Sequence, residues 1–226
     1  MVGGTSWVST AMYYEQINRG VAKRLGGIHS ASLLIESLDL APVAALELAG
    51  DWDAVGEIVG AAAARLEAAG AEGIVLCSNT THKVAPAVEA AVRIPLLHIG
   101  DATARKLEAD GVKRAGLIGT RFTMSEPFFR ERVEARGVAL STPDRATSEE
   151  IDRIIFSELA KGQVTRNSER RLKTCLTEMA KARQQAVILG CTELVLLVDP
   201  VANVLPVYDT TAIHAATAVD WILARD

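Results

Sequence analysis

Ile188-Leu189-Gly190-Cys191-Thr192-Glu193 is the stretch on which the reading of this chain rests, because Val75-Leu76-Cys77-Ser78-Asn79-Thr80 repeats its pattern 113 residues earlier. In each, an apolar run stops abruptly at small nucleophile-type residues and side chains able to hydrogen-bond. Aligning residues 74–76 on 187–189 sets Ser78 against Cys191 and Asn79 against Thr192. A strand feeding a turn and then a helix produces such a pattern. Its recurrence predicts two strand–turn–helix lobes, each presenting one chemical group to a shared cleft.

Outward from these two segments, strands alternate with helices. Met1 to Trp7 reads as the end of a buried strand entering a Gly-rich turn, a strand that looks cut short, with a helix from Tyr13 to Leu25. Residues 29–37 are a strand candidate, 52–69 an Ala-rich helix capped near Asp51 or Asp53, 73–77 a strand, and 94–99 a short apolar strand. The second half repeats the scheme: a strand over 114–118, a Gly119-Thr120-Arg121-Phe122-Thr123 turn echoing the first, and helices over 126–136 and 167–182. An amphipathic region over 148–161 ends in a break at Gly162. A strand over 186–189, a last strand over 203–208 and a final helix over 210–224 complete the chain. The predicted class is α/β, as two pseudo-symmetric three-layer α/β/α lobes with mainly parallel sheets and the active site in the cleft between them.

Composition narrows the function. The 226 residues are 49% apolar and 4% aromatic, with a net charge of −4, enough for ordinary aliphatic cores. Scattered Lys and Arg residues leave no basic footprint, so neither nucleic acid nor a membrane surface is expected as a partner, and a small molecule is. Three cysteines, no signal pattern and no apolar run near membrane-spanning length point to a reducing cytoplasm without disulfides. His29, His82, His98 and His214 have no metal-ligand spacing with one another or with the cysteines, so no metal is expected. No phosphate-loop or dinucleotide fingerprint occurs, and no cofactor is expected.

Open parallel sheets bind ligands beyond the carboxyl ends of their strands. Four such ends are rich in small polar residues: Gly3-Gly4-Thr5-Ser6, Cys77-Ser78-Asn79-Thr80, Thr120 to Thr123, and Gly190-Cys191-Thr192-Glu193. Their backbone N–H groups and the side chains of Thr5, Ser6, Asn79, Thr80, Thr120, Thr123 and Thr192 suit a carboxylate. Cys191 follows a glycine and precedes an expected helix start, where N–H groups favour a thiolate. Cys77 falls one place early in the repeat and should point into the sheet, and Cys175 reads as helix packing. Three residues stay open between a supporting role in the site and a blander reading: His82 facing the cleft or as a cap or surface residue, His98 at the site or as a core histidine, and Glu193 as a site residue or simple support for a helix start.

The motifs Gly3-Gly4-Thr5-Ser6-Trp7, Leu25-Gly26-Gly27-Ile28-His29-Ser30, Asn79-Thr80 with His82-Lys83, Leu97-His98-Ile99, Gly119-Thr120-Arg121-Phe122-Thr123-Met124 and Gly190-Cys191-Thr192-Glu193-Leu194 resemble the cofactor-independent aspartate/glutamate racemase family nearly end to end. The resemblance implies lobes of residues 1–100 with 209–226 and of 101–208, a homodimer, and a full first strand ahead of Gly3. It also implies an amino acid or dicarboxylate substrate, with one catalytic residue on each face of its α carbon: Cys191, and Ser78 where most members carry a cysteine. The sequence is similar to a subgroup with a hydroxyl residue there. Two other readings remain in view, a single-cysteine decarboxylase or isomerase of the same superfamily and a small-carboxylate binding protein. The reactivity of Cys191 near neutral pH separates a catalytic thiolate from a core thiol.

Overall fold

The computed structural model describes residues 1–199 and 201–224. Two compact units divide the chain: Met1–Ile99 with His214–Asp226, and Gly100–Ile213. The first contains β1 (Val2–Gly3), α1 (Trp7–Leu25), β2 (Glu36–Ser37), α2 (Leu40–Ala49), α3 (Trp52–Ala68), β3 (Ile74–Val75), a 3-10 turn over Thr80–Val84, α4 (Ala85–Ala91) and β4 (Leu96–Leu97). The second contains α5 (Ile99–Ala109) from Gly100 on, then β5 (Arg114–Gly119), α6 (Arg121–Ser125), α7 (Pro127–Glu134), β6 (Ala139–Ser141), α8 (Arg145–Ser157), α9 (Arg166–Lys181), β7 (Ala186–Gly190) and β8 (Val207–Asp209). α10 (Thr210–Leu223) contributes its residues from His214 on to the first unit.

In the first unit β1 pairs in parallel with β2 and β3 with β4, and a parallel bridge between Val2 and Leu76 joins the pairs into the order β2-β1-β3-β4. Side chains alternate across this sheet with the two-residue period of a strand. Val2, Ile74 and Leu76 pack with Val55, Val59, Leu66 and Val88 of α3 and α4, whereas Met1, Val75 and Cys77 pack with Tyr13, Ile17 and Val219 of α1 and α10. The result is three layers. Where α3 meets α4, a Cβ on Gly56 would lie 3.0 Å from that of Ala87, so small residues set the approach of the two helices.

The second unit has a four-stranded parallel sheet in the order β6-β5-β7-β8. By place in the chain this is the first unit's order again. Val187, Leu189 and Cys191 share one face with Ile118 and pack on Ile151, Ile154, Leu172 and Leu176 of α8 and α9. Side-chain caps start the helices: Thr120 for α6, Asp144 for α8 and Thr165 for α9 each accept a backbone N–H. Gly162 takes a left-handed conformation (φ 72°) and closes the 3-10 turn Leu159–Lys161, at the expected break.

Several elements differ from the sequence reading. α1 begins at Trp7 rather than Tyr13 because the Ser6 hydroxyl caps it on the Ser9 N–H. The strand expected over 29–37 contracts to Glu36–Ser37, since β1 offers only two residues to pair with. The strand expected over 203–208 is Val207–Asp209. α2 and β6 were not anticipated. Pro42 falls in the first turn of α2, where its missing N–H has no partner to lose. Among the described residues, no helix is long and apolar enough to cross a membrane.

The ends of β5 and β7 meet at paired glycines, Gly119 and Gly190. A Cβ on Gly119 would lie 2.7 Å from the Gly190 carbonyl oxygen, an atom that cannot swing aside. Gly119→Ala is expected to lower stability by about 1–3 kcal/mol, measured by urea unfolding, whereas an unchanged midpoint would show that the strand ends yield freely.

Candidate active site

β7 ends at Gly190, and the chain then passes through Cys191 into a five-residue 3-10 turn, Thr192–Leu196. Gly190 is required by crowding: a Cβ there would come within 2.8 Å of Thr123 Cγ2. The Thr120 to Thr123 turn therefore lies against the Cys191 turn, with Thr120 Oγ1 3.2 Å from Thr123 Oγ1 and accepting the Thr123 N–H. Cys191 is 7% exposed, and its thiol donates to Glu193 Oε2 at 3.1 Å. The Thr192 hydroxyl donates to the same oxygen at 2.5 Å. Glu193, only 6% exposed, is thus drawn back over its own turn by two donors.

This geometry corrects the electrostatic expectation for Cys191. A short 3-10 turn has a weak dipole, and burial together with the Glu193 charge pushes the thiol well above its ordinary range, against only one backbone hydrogen bond favouring the thiolate. The resting group is a thiol hydrogen-bonded to a carboxylate. Asp152, whose carboxylate accepts the Arg121 N–H at 2.7 Å, raises it further. Rapid alkylation near neutral pH is therefore no longer the expected mark of this residue.

In the first unit the chain leaves β3 through Leu76 and Cys77. Cys77 is 1% exposed in the α1/α10 core and its thiol is pushed up to about 12 by burial, so the structure gives it a packing role. Cys175 is likewise a core residue on α9, pushed up to about 11 chiefly by burial. Ser78 follows at intermediate exposure, ahead of the buried Asn79 and Thr80. Its carbonyl accepts from Thr81 Oγ1 at 3.2 Å and lies 2.7 Å from His82 Nδ1. Thr5 is half-buried beside Ser6, the α1 cap. Thr10 ties that turn together by accepting the Gly4 N–H at 2.8 Å and donating to the Ser6 carbonyl at 3.0 Å. Gly4 sits at φ +83° with the Leu38 backbone where a Cβ would be, so only glycine serves there.

The structure also brings together residues that the sequence reading did not connect. His82 and His98 are both buried with ring centroids 4.6 Å apart, and His214 packs edge-on to His82 at 5.4 Å. The Tyr13 hydroxyl is 2.8 Å from His214 Nδ1. In the second unit, Asp209, Thr210 and Thr211 form a further strand end beside β7: Asp209 is in register with Leu189, and the Thr210 hydroxyl donates to the Leu189 carbonyl at 2.7 Å. Burial raises the Asp209 carboxyl above its usual range. The strand-then-threonine pattern was the available signal, hidden by the expectation that the strand ended at Tyr208. Among the described residues no group of three or more His, Cys, Asp or Glu is arranged to hold a metal ion.

Residues 2–218 match the model of the Asp/Glu/hydantoin racemase family. The chain belongs to that family. A solved structure from Yersinia pestis, provisionally described as an Asp/Glu racemase, is 43% identical with a TM-score of 0.91, covering 98% of this chain and 97% of that one. An aspartate racemase homologue from Pyrococcus horikoshii is 30% identical with a TM-score of 0.83, covering 98% and 97%. The broad specificity amino-acid racemase RacX of Bacillus subtilis is 22% identical over 174 residues, 77% of this chain and 75% of that protein. The resemblance drawn from the sequence motifs is thus family membership, and the α/β class with parallel sheets is the family's fold.

Replacing Glu193 by Gln removes a negative charge beside the sulfur and offers it an amide donor. Each unit of pKa lowered is a tenfold rise in thiolate at a fixed pH below it. Iodoacetamide labelling of Cys191, followed by peptide mass spectrometry, is expected to be slow at pH 7 and still rising above pH 9 in the native chain. In Glu193→Gln it is expected to be at least about tenfold faster at pH 7. Equal rates in the two proteins would show that Glu193 does not govern the thiol.

Proposed function

We propose that this chain is a cofactor-independent amino-acid racemase in which Cys191 and Ser78 act on opposite faces of the substrate α carbon. The observation that carries the reading is the Cys191–Glu193 contact: an acid–base residue at a strand end, with a proton acceptor 3.1 Å from its sulfur. Equivalent placement of Ser78 after the matching strand of the first unit, and the racemase names of the relatives, support it. The substrate class is an amino acid, with aspartate and glutamate foremost.

The proton inventory closes. Glu193 accepts the Cys191 proton as substrate binds, and the thiolate removes the Cα proton of the L-isomer. Amides of the turns, with Asn79, Thr80, Thr120, Thr123 and Thr192, stabilise the enediolate-like intermediate. The Ser78 hydroxyl then delivers its proton to the opposite face, giving the D-isomer and an alkoxide that regains a proton from water. Cys191 ends with the substrate's proton, and Glu193 releases to water the one it held.

The two faces are unequal. A thiol ionises near 8.5 and a hydroxyl nearer the 15.7 of water, so Ser78 as a base is worse by about 7 units, or roughly 10 kcal/mol. Unequal faces cannot make net racemisation one-way. Enantiomers have equal free energy, so kcat/KM must be the same in both directions. What asymmetry permits is rapid return of a solvent-derived proton by Cys191 to its own face.

A second reading is favoured by one observation: the Cys191 thiol donates to Glu193, and a thiol is the form that protonates a carbanion. A decarboxylase or isomerase of the same superfamily needs only that step. Proton NMR of L- and D-amino acids in D2O, with chiral analysis of the same samples, separates the two. The racemase reading predicts loss of the Cα proton of one L-amino acid faster than its inversion, with both abolished in Cys191→Ala. No exchange from any amino acid would overturn it in favour of the decarboxylase or the small-carboxylate binding reading.

A further inference from the structure

We infer that His82 is a positioning residue for the Ser78 face, holding the peptide of Ser78 through one fixed tautomer. The inference rests on the racemase reading above and extends it to a residue that touches no reacting atom.

Two backbone groups decide the tautomers, because each can play only one part in a hydrogen bond. The Ile99 N–H donates to His82 Nε2 at 3.2 Å, so that nitrogen is the acceptor and Nδ1 carries the proton. Nδ1–H then donates to the Ser78 carbonyl at 2.7 Å. The Leu97 carbonyl can only accept, so His214 Nε2 donates to it at 2.7 Å, which leaves His214 Nδ1 to accept from the Tyr13 hydroxyl at 2.8 Å. One assignment satisfies all four contacts, with both rings neutral.

His82 is 1% exposed. Burial and the neighbouring His98 and His214 hold its pKa well below the ordinary range, outweighing the Ser78 and Leu97 carbonyls, which favour the charged ring; a protonated ring would also turn Nε2–H toward the Ile99 N–H. The neutral ring is therefore a fixed strut from the start of α5 to the residue that ends the β3 segment. It also has nothing left to offer the Ser78 hydroxyl: its proton is on the Ser78 carbonyl and its lone pair on Ile99. His82 sets where the Ser78 side chain stands and leaves its acidity unchanged. Tight tolerance on a reacting group is worth a large factor, since a misplacement of about 1 Å can cost about a hundredfold.

The two amide isosteres divide the strut. His82→Asn keeps a donor near the Nδ1 position and loses the Ile99 contact; His82→Gln keeps an acceptor near the Nε2 position and loses the hold on Ser78. Exchange of the Cα proton is followed in D2O separately for the L-isomer, which reports the Cys191 face, and the D-isomer, which reports the Ser78 face. In His82→Gln, D-isomer exchange and inversion are expected to fall at least about tenfold while L-isomer exchange stays within about threefold. His82→Asn is expected to keep D-isomer exchange nearer the native rate than His82→Gln does. A parallel fall on both faces would reveal a merely structural residue, and unchanged D-isomer exchange in His82→Gln would also overturn the inference. No exchange from either isomer with the native chain would instead remove the racemase reading, and the inference with it.

Discussion

The close approach of Gly119 to Gly190 is the contact on which the candidate site depends. Parallel pairing brings β5 and β7 to an end at the same level, and the absence of side chains there lets the Thr120 to Thr123 turn press against the Cys191 turn. Bulk at Gly190 would collide with the Thr123 methyl and push the two turns apart. The Thr210 hydroxyl ties a third strand end to the Leu189 carbonyl, two residues before Cys191. Their chemistry follows from the sheet: short polar turns, helix caps and backbone amides collect at the carboxyl edge because parallel strands all end there.

The two strand ends differ in what surrounds Cys191 and Ser78. Cys191 has a carboxylate at hydrogen-bond distance, and burial keeps the thiol protonated until something compensates the charge. Ser78 has no comparable acceptor in His82, whose two nitrogens are both committed to backbone. In the proposed reaction, the Cys191 end exchanges protons and the Ser78 end donates one from a fixed position.

Much of this was legible in the sequence, and the gaps have physical causes. The repeat of Ser78 and Cys191 could be read because an apolar run ending in small polar residues is a local signal. Cys77 could be read as core from the two-residue period alone, and it packs with Tyr13 and Ile17. The state of Cys191 could not. A helix start predicts a thiolate, but the turn proved to be 3-10, and the side chain of Glu193 folds back, which depends on rotamers and burial. The histidine cluster was invisible for a different reason: His82, His98 and His214 come from three separate segments, and only the arrival of α10 in the first unit brings the third beside the others. α2 was not read from the sequence; its Pro42 stands in the first turn, the part of a helix that tolerates it.

The division of labour between the two faces is the central claim, and Ser78→Ala tests it most directly. With the L-isomer in D2O, this variant should continue to exchange the Cα proton through Cys191 while inversion to the D-isomer disappears. Inversion at the native rate in Ser78→Ala, or loss of exchange and inversion together, would contradict the assignment of Ser78 to the second face.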